Sequence, residues 1–185
     1  MMGSPAHRHR AGAHQPVDAA PLAASAEELL RVEEVVDAKF LAGELFARKF
    51  HGPPPDFPTH YVCFYRMGPT EICVAGYVHC SAFEASYLCG GLVIDDRLYR
   101  RMPDQHRAAM RSCGGIARYL MQATCERLAH AAIFAYVGDA RSERVLRSVG
   151  FGATDHGFVM ARWTRALPES AKGALAARVA SLGPF

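Results

Sequence analysis

The 185-residue chain has no apolar run near the roughly 18–20 residues of a membrane-spanning helix, so no membrane role is expected. The basic opening MMGSPAHRHRAGAH is not followed by an apolar stretch of about 7–15 residues, which argues against a secretory leader and for a cytoplasmic location. The six cysteines (Cys63, Cys73, Cys80, Cys89, Cys113, Cys125) include no CxxC pair. Without close ligand pairs no metal site is expected, and the thiols are expected to be free and buried in a reducing compartment. Charge of one sign is scarce too, since 21 Lys and Arg against 18 Asp and Glu leave only +3. That excess is too small to imply nucleic acid, and no aromatic ladder accompanies the basic residues to stack single strands. There is no internal repeat. What is present is apolar content of 50%, enough for one domain with a substantial core.

Residues 1–24, rich in Ala, Pro, His and Gly, read as a disordered tail that buries too little surface to offset chain entropy. Ser25-Ala-Glu-Glu28 has the form of a capping box, and Leu29, Val32, Val36 and Phe40 follow at helical spacing. Gly43 is a candidate break before a second helix with Leu45, Phe46 and Phe50, and the proline-rich run from His51 to Pro58 ends it. Three strands follow, Tyr61–Met67, Ile72–Ala82 and Tyr87–Ile94, joined by turns at Gly68-Pro69 and Glu84–Ser86 into an antiparallel meander. Arg97–Arg111 reads as a loop and short helix with Pro103 in its first turn. Beyond Gly114-Gly115 come a helix over 116–129, a buried strand Ala131–Val137 and a helix Ala140–Val149. Asp139 is placed to cap that last helix and Gly150-Phe151 to close it. A strand Phe158–Trp163 and an alanine-rich helix Pro168–Leu182 complete the chain, the latter docking on its own chain or on a second copy in a homodimer. Residues 25–165 form the expected domain and 166–185 its C-terminal helix and tail. Only the crossover from Tyr87–Ile94 to Ala131–Val137 is parallel in this order, which predicts an α/β (α+β) fold with a mixed, mostly antiparallel sheet.

The densest signal is Ser112-Cys-Gly-Gly-Ile-Ala117 running into a helix, followed one buried strand later by Asp139 through Phe151 (DARSERVLRSVGF). A glycine turn that opens a helix leaves N–H groups aimed outward at the positive end of the helix dipole, which suits a pyrophosphate. The order of elements and these motifs resemble the GNAT superfamily of acyl-CoA N-acyltransferases. The family's loop (Gln/Arg)-x-x-Gly-x-(Gly/Ala) is matched by Gly114-Gly115-Ile116-Ala117, with Arg111 one residue off the first position. Its later signature, Asn-x-x-Ala-x-x-x-Tyr-x-x-x-Gly-Phe, is met by Asp139, Ser142, Leu146 and Gly150-Phe151. Gly91-Leu-Val-Ile-Asp95 is similar to the family's Leu-x-Val-Asp strand. Three departures stand out: 16 residues separate Asp95 from Ser112 where the family has a handful, Leu146 replaces the tyrosine that often serves as general acid, and the family's first strand, before the N-terminal helices, is not visible.

The resemblance implies a V-shaped cleft in a helix-flanked sheet. It also implies acetyl-CoA or another acyl-CoA as cosubstrate, no metal, and transfer to the amine of a small molecule or peptide by direct attack in a ternary complex. It places cofactor contacts at Leu92, Val93, Ile94, Gly114, Gly115, Ile116, Ala117 and Arg118, with Arg111 adding charge and Asp139 and Ser142 facing the pantetheine arm. For the base, the meander offers His79, Glu84, Tyr87 and Cys89, and Cys89 as a nucleophile would need a partnering base that the sequence does not identify. His79 titrates in the useful range, though a lone strand histidine commonly serves structure. Tyr87 shares a strand face with Cys89, directed either to the cleft or into the core. Tyr136, ending the buried strand, is a candidate to replace the missing acid. Arg100, Asp104, Arg107 and Arg111 fit one helical face, either a basic lid or a solvated face of ion pairs. The competing reading is a GNAT-like module that binds acyl-CoA, or a protein partner, without turnover.

Overall fold

The capping box forms, and the helix it starts then stops after a single turn. In the computed structural model, which describes residues 24–56, 58–128 and 132–185, Glu28 N–H donates to Ser25 Oγ (3.3 Å) and Ser25 N–H to Glu28 Oε2 (2.7 Å). Helix α1 spans Ala26–Leu29, and Leu30–Val35 is strand β1, where helical spacing predicts a continued helix. The sequence LRVEEV fits both periods, and the partner decides: β1 runs antiparallel to β2 (Thr59–Arg66), with Leu30 and Val32 buried. Val36 and Phe40, expected on a buried face, are 100% and 82% exposed. Helix α2 (Ala38–Phe50) starts at an Asp37 cap and passes through Gly43 unbroken. Residues 1–23 of the expected tail lie outside the described residues.

The meander is as the turn signals predict, with β3 spanning Ile72–Phe83 and β4 Ser86–Ile94. Arg97–Arg111 is two helices, α3 (Asp96–Arg101) and α4 (Asp104–Ser112), parted at Met102-Pro103. Arg100 therefore does not share a helical face with Asp104, Arg107 and Arg111; it pairs with Asp96, and Arg107 with Asp104. Then come α5 (Ile116–Arg127), β5 (Ala132–Tyr136), α6 (Ala140–Ser148), the short β6 (Gly152–Ala153), β7 (Val159–Trp163) and α7 (Glu169–Ala180). The sheet order is β1-β2-β3-β4-β5-β7-β6, and β4–β5 is its only parallel pair among the described residues.

Strand alternation divides the core between two faces. Cys63, Tyr65, Ile133 and Met160 point to the α5–α6 side, with Ile116, Leu120 and Leu146. On the opposite side α2 covers Val62, Tyr77 and Val93, while α7 covers Leu88, Phe134 and Val159 through Leu175, Ala176 and Val179. The C-terminal helix thus packs on its own chain. Arg178 also holds Glu84 in the β3–β4 turn through two 2.8 Å contacts. One cysteine expectation is corrected: Cys80 and Cys89 form a disulfide, leaving Cys63, Cys73, Cys113 and Cys125 as free thiols among the described residues. The two sit opposite each other in the β3–β4 register, Cα to Cα 4.2 Å, because both are four residues from the ends of the two-residue turn Glu84-Ala85.

Strand β4 pairs with β5 only from Ser86 to Cys89, against Ala132–Ala135. Immediately beyond, β4 bulges: His79 faces Gly90 and Tyr77 faces Val93, so one β3 residue spans two of β4. Gly91 takes φ 65° there, and a Cβ on it would lie 2.5 Å from His79 Cε1 and 2.7 Å from Phe46 Cε2. Glycine meets both demands of that site. Gly91→Ala is expected to lower unfolding free energy by about 2–3 kcal/mol through overpacking and the left-handed φ. Gly43→Ala, whose Cβ meets only Lys39 Cγ at 3.8 Å in mid-helix, is expected to raise it by about 0.5–1 kcal/mol. Urea denaturation of both variants checks the pair.

Candidate active site

Past Cys89 the edge of β4 facing β5 has no strand partner among the described residues, and the gap opens into two adjoining cavities of about 560 and 670 Å³. They share Lys49, Leu92, Asp139 and Ser142. The larger is bounded by Leu92–Ile94 of β4, by Gly114, Gly115 and Ala117 at the start of α5, and by Tyr99, Arg100 and Arg141.

The glycines have a specific task at that boundary. Gly114 N–H donates to Arg111 O (3.1 Å) and Gly115 N–H to Met110 O (2.8 Å), the paired bonds of a Schellman motif that closes α4, with Gly114 at φ 83°. Gly115 is then the N-cap of α5. Two of the expected phosphate donors, the N–H groups of Gly114 and Gly115, are therefore engaged within the chain. Those of Ile116, Ala117 and Arg118, the first turn of α5, have no acceptor among the described residues. Ile116 is 1% exposed and roots the turn in the core. The Arg118 guanidinium is turned back onto Cys113 O (2.8 Å), its stem across Gly114. Arg111 is exposed and lines neither cavity, whereas Arg141 and Arg100, the latter paired with Asp96 of the same wall, stand at the larger one.

Asp139 caps α6, its Oδ1 accepting from Arg141 N–H and Ser142 N–H, each at 2.8 Å, and its Oδ2 from Ser142 Oγ–H at 3.1 Å. Those hydrogen bonds, led by the Ser142 N–H, hold its carboxyl below the usual carboxylate range. Gly150 closes α6 at φ 91°, and buried Phe151 returns its N–H to Leu146 O (3.1 Å). Leu146 also lines the smaller cavity.

The smaller cavity is walled by Phe46 and Phe50 of α2, by Tyr136 at the end of β5 and by Phe185. His79 stands on its β3 side, over Gly90 and Gly91. Behind it lies a row of three rings. His79 Nδ1 is 3.4 Å from the Tyr77 hydroxyl, which is 2.8 Å from His60 Nδ1, and Phe46 meets Tyr77 edge-on at 5.4 Å. Burial pushes the Tyr77 phenol up and both imidazoles down, His79 to about 4 with the nearby His60 adding to the effect.

Of the other candidates, Tyr136 lines the cavity, stacked on Phe158 (5.8 Å) and edge-on to Phe185 (6.1 Å). Tyr87 and Glu84 are placed elsewhere. Tyr87 packs with the α5-side core, and Glu84 is held by Arg178 at the hairpin turn; neither lines the two cavities. Arg178 keeps the Glu84 carboxyl below its ordinary value. A thiol nucleophile is absent from the cavity walls, since Cys89 is in the disulfide, and the buried Cys63 thiol is pushed up to about 12. Among the described residues no group of three or more His, Cys, Asp or Glu is arranged to hold a metal ion.

Residues not assigned to a site from sequence complete the walls: Tyr99 and Arg141 in the larger cavity, Lys49 in both, and Phe46 and Phe50, read only as apolar helix positions, in the smaller. Phe46 and Phe50 are four apart on α2, a spacing visible in the sequence, but their meeting with His79 depends on how α2 crosses the sheet.

No family model matches the sequence, and no curated protein matches it. Solved structures do match. The crystal structure of the ribosomal-protein-S18-alanine N-acetyltransferase from Escherichia coli aligns over 76% of this chain and 97% of its own, with TM-score 0.51 and 12% identity. That of Escherichia coli ElaA aligns over 72% and 98%, with TM-score 0.43 and 11% identity. The chain has the fold of the GNAT N-acetyltransferases.

The buried His60 and half-buried His79 imidazoles set a pH dependence. Both titrate lower in the folded chain than their ordinary 6.5, so as pH falls the unfolded chain takes up protons first. Their neutral forms leave stability intact above 6.5, and it is lost progressively as pH drops from 6.5 toward 4. Denaturant midpoints are expected to fall across that window less steeply in His79→Gln than in the native chain. Ring-proton NMR is expected to place the His79 midpoint near 4; a value at or above 6.5 would contradict the burial described.

Proposed function

We propose that this chain is an acyl-CoA-dependent N-acyltransferase, with acetyl-CoA as the simplest donor. The supporting observation is the junction at the β4–β5 parting. There an open helix N-terminus that suits a pyrophosphate and a pocket holding a neutral histidine share Lys49, Leu92, Asp139 and Ser142. The diphosphate lies against the first turn of α5 at Ala117, with Arg100 and Arg141 nearby, and the pantetheine arm runs along the unpartnered edge of β4 from Leu92 to Ile94. The thioester then sits where β4 and β5 separate, between His79 and Tyr136.

The chemistry needs a neutral amine, a donor for the carbonyl oxygen and a proton for the leaving thiolate. Tyr77 makes its short contact to His60, so its hydroxyl donates there and its oxygen accepts from His79 Nδ1–H. That tautomer leaves His79 Nε2, over Gly90, as the acceptor for the amine proton. The amine nitrogen attacks the thioester carbonyl carbon, a β4 N–H steadies the oxyanion, the C–S bond breaks, and Tyr136 protonates the sulfur. His79, with its lowered pKa, remains unprotonated at neutral pH. This gives the missing helix tyrosine a substitute from the adjacent strand, so an enzyme is favoured over a binding module despite Leu146.

Steady-state kinetics with acetyl-CoA and a primary amine are expected to give intersecting double-reciprocal lines, as a ternary complex requires; parallel lines would contradict direct attack. Tyr136→Phe is expected to lower kcat about a hundredfold with little change in the acetyl-CoA KM. Ala117→Pro deletes one first-turn N–H where proline is tolerated, and is expected to weaken CoA binding about tenfold in calorimetry. Native affinity in that variant would remove the helix terminus from the account.

A further inference from the structure

The geometry points to the acceptor as a compact primary amine carried on an aromatic or other apolar body, not a polyamine or a peptide lysine. This rests on the acyl-transfer reading above and adds the acceptor class.

Four aromatic side chains from three separate parts of the chain converge on the smaller cavity. Phe46 and Phe50 lie 4.5 Å apart on α2, and Tyr136 and Phe185 6.1 Å apart across from them. Phe50 is 43% exposed, an apolar surface that a bound ring would cover. The cavity, about 560 Å³, has the size of a small-molecule site.

Its charges point the same way. Among the described residues that line it, the charged side chains are Lys49 and Asp139, both at the junction with the cofactor half. Asp139 is the only side-chain carboxylate there, and both its oxygens are already occupied at the start of α6. A polyamine carries several ammonium groups and needs several carboxylates; the cavity offers it one side-chain carboxylate, already engaged at the start of α6, and Phe185 O against Gly90, with the Lys49 ammonium opposing it. A peptide held as an added strand needs a free sheet edge; the outer edges are β1 and β6, at the far ends of the strand order, and the β4 edge inside the cleft is the one assigned above to the pantetheine arm. One polar group on the β3 wall, His79, is matched to one reacting nitrogen. An amine with an apolar body fills the rest.

The test is a panel of 2-phenylethylamine, tryptamine, spermidine and a lysine-containing peptide, with acetyl-CoA and the full chain, following release of the CoA thiol. The two arylalkylamines are expected to exceed the others in kcat/KM by about a hundredfold. Phe50→Ala is expected to raise the KM for 2-phenylethylamine about tenfold, and Phe50→Leu to recover most of it. Spermidine or the peptide turning over as well as the arylalkylamines, or an unchanged KM in Phe50→Ala, would overturn the acceptor class. Calorimetry with acetyl-CoA on the same preparation separates the two levels. Acetyl-CoA binding with a preference for spermidine overturns the class and leaves acyl transfer standing, whereas no acetyl-CoA binding removes both. Should acetyl-CoA bind and no amine turn over, a saturable shift of the His79 ring protons by 2-phenylethylamine supports the class, and no shift overturns it.

Discussion

The functional half of this molecule depends on the parting of β4 from β5. Two parallel strands joined by a helical crossover would ordinarily pair along their shared length, burying their main-chain groups in the ladder. Here the ladder stops at Cys89, because one additional residue in β4 turns the strand and reverses which side chains face which side of the sheet. Before the bulge Cys89 points to the α5 side; after it Leu92 and Ile94 do, and Val93 faces α2. The cleft is therefore a topological consequence of the bulge, and the β4 edge exposed along it has hydrogen-bonding groups to offer a ligand. The close approach of His79 and Phe46 over Gly91 shows how tightly the bulge is held.

A second economy operates at the α4–α5 junction. Glycine-rich turns before helices are often described as presenting their own N–H groups, but these two glycines are used to end one helix and begin the next within two residues. The donors without an acceptor among the described residues are displaced by one step, onto the first turn of α5, where Ala117 borders the larger cavity. Since Ile116 is anchored in the core, the first turn is rigid, and its dipole and N–H groups are preorganised rather than assembled on binding. The His60–Tyr77–His79 row follows the same logic on the other side of the cleft. The buried His60 and Tyr77 rings and the half-buried His79 fix one another's orientation, and loss of solvent contact keeps the imidazoles neutral.

Local signals carried much of the architecture. Ser25 and Asp139 as caps, Gly150-Phe151 as a closure and the hairpin turns depend on neighbours a few residues away, and each is legible in the chain; the single parallel crossover is long-range but is legible from the order of the elements. Features that depend on a distant partner were not. Leu30–Val35 is a strand only because the β2 edge is there to receive it. The Cys80–Cys89 bond follows from hairpin register; its trace in the sequence is the equal distance of the two residues from Glu84-Ala85. The aromatic wall combines α2, β5 and the C-terminal segment, which no window of sequence contains. Arg111 and Glu84 were plausible by chemistry alone, and their positions are set by helix phase and by Arg178.

The measurement that bears most directly on the central claim is a backbone amide NMR titration with CoA. Saturable shifts concentrated at Ile116, Ala117 and Arg118 and along Leu92–Ile94, with Gly114 and Gly115 little changed, are the result this account predicts. CoA shifts confined to other surfaces, or none at concentrations up to about 1 mM, where affinity would be weaker than roughly −4 kcal/mol, would contradict it.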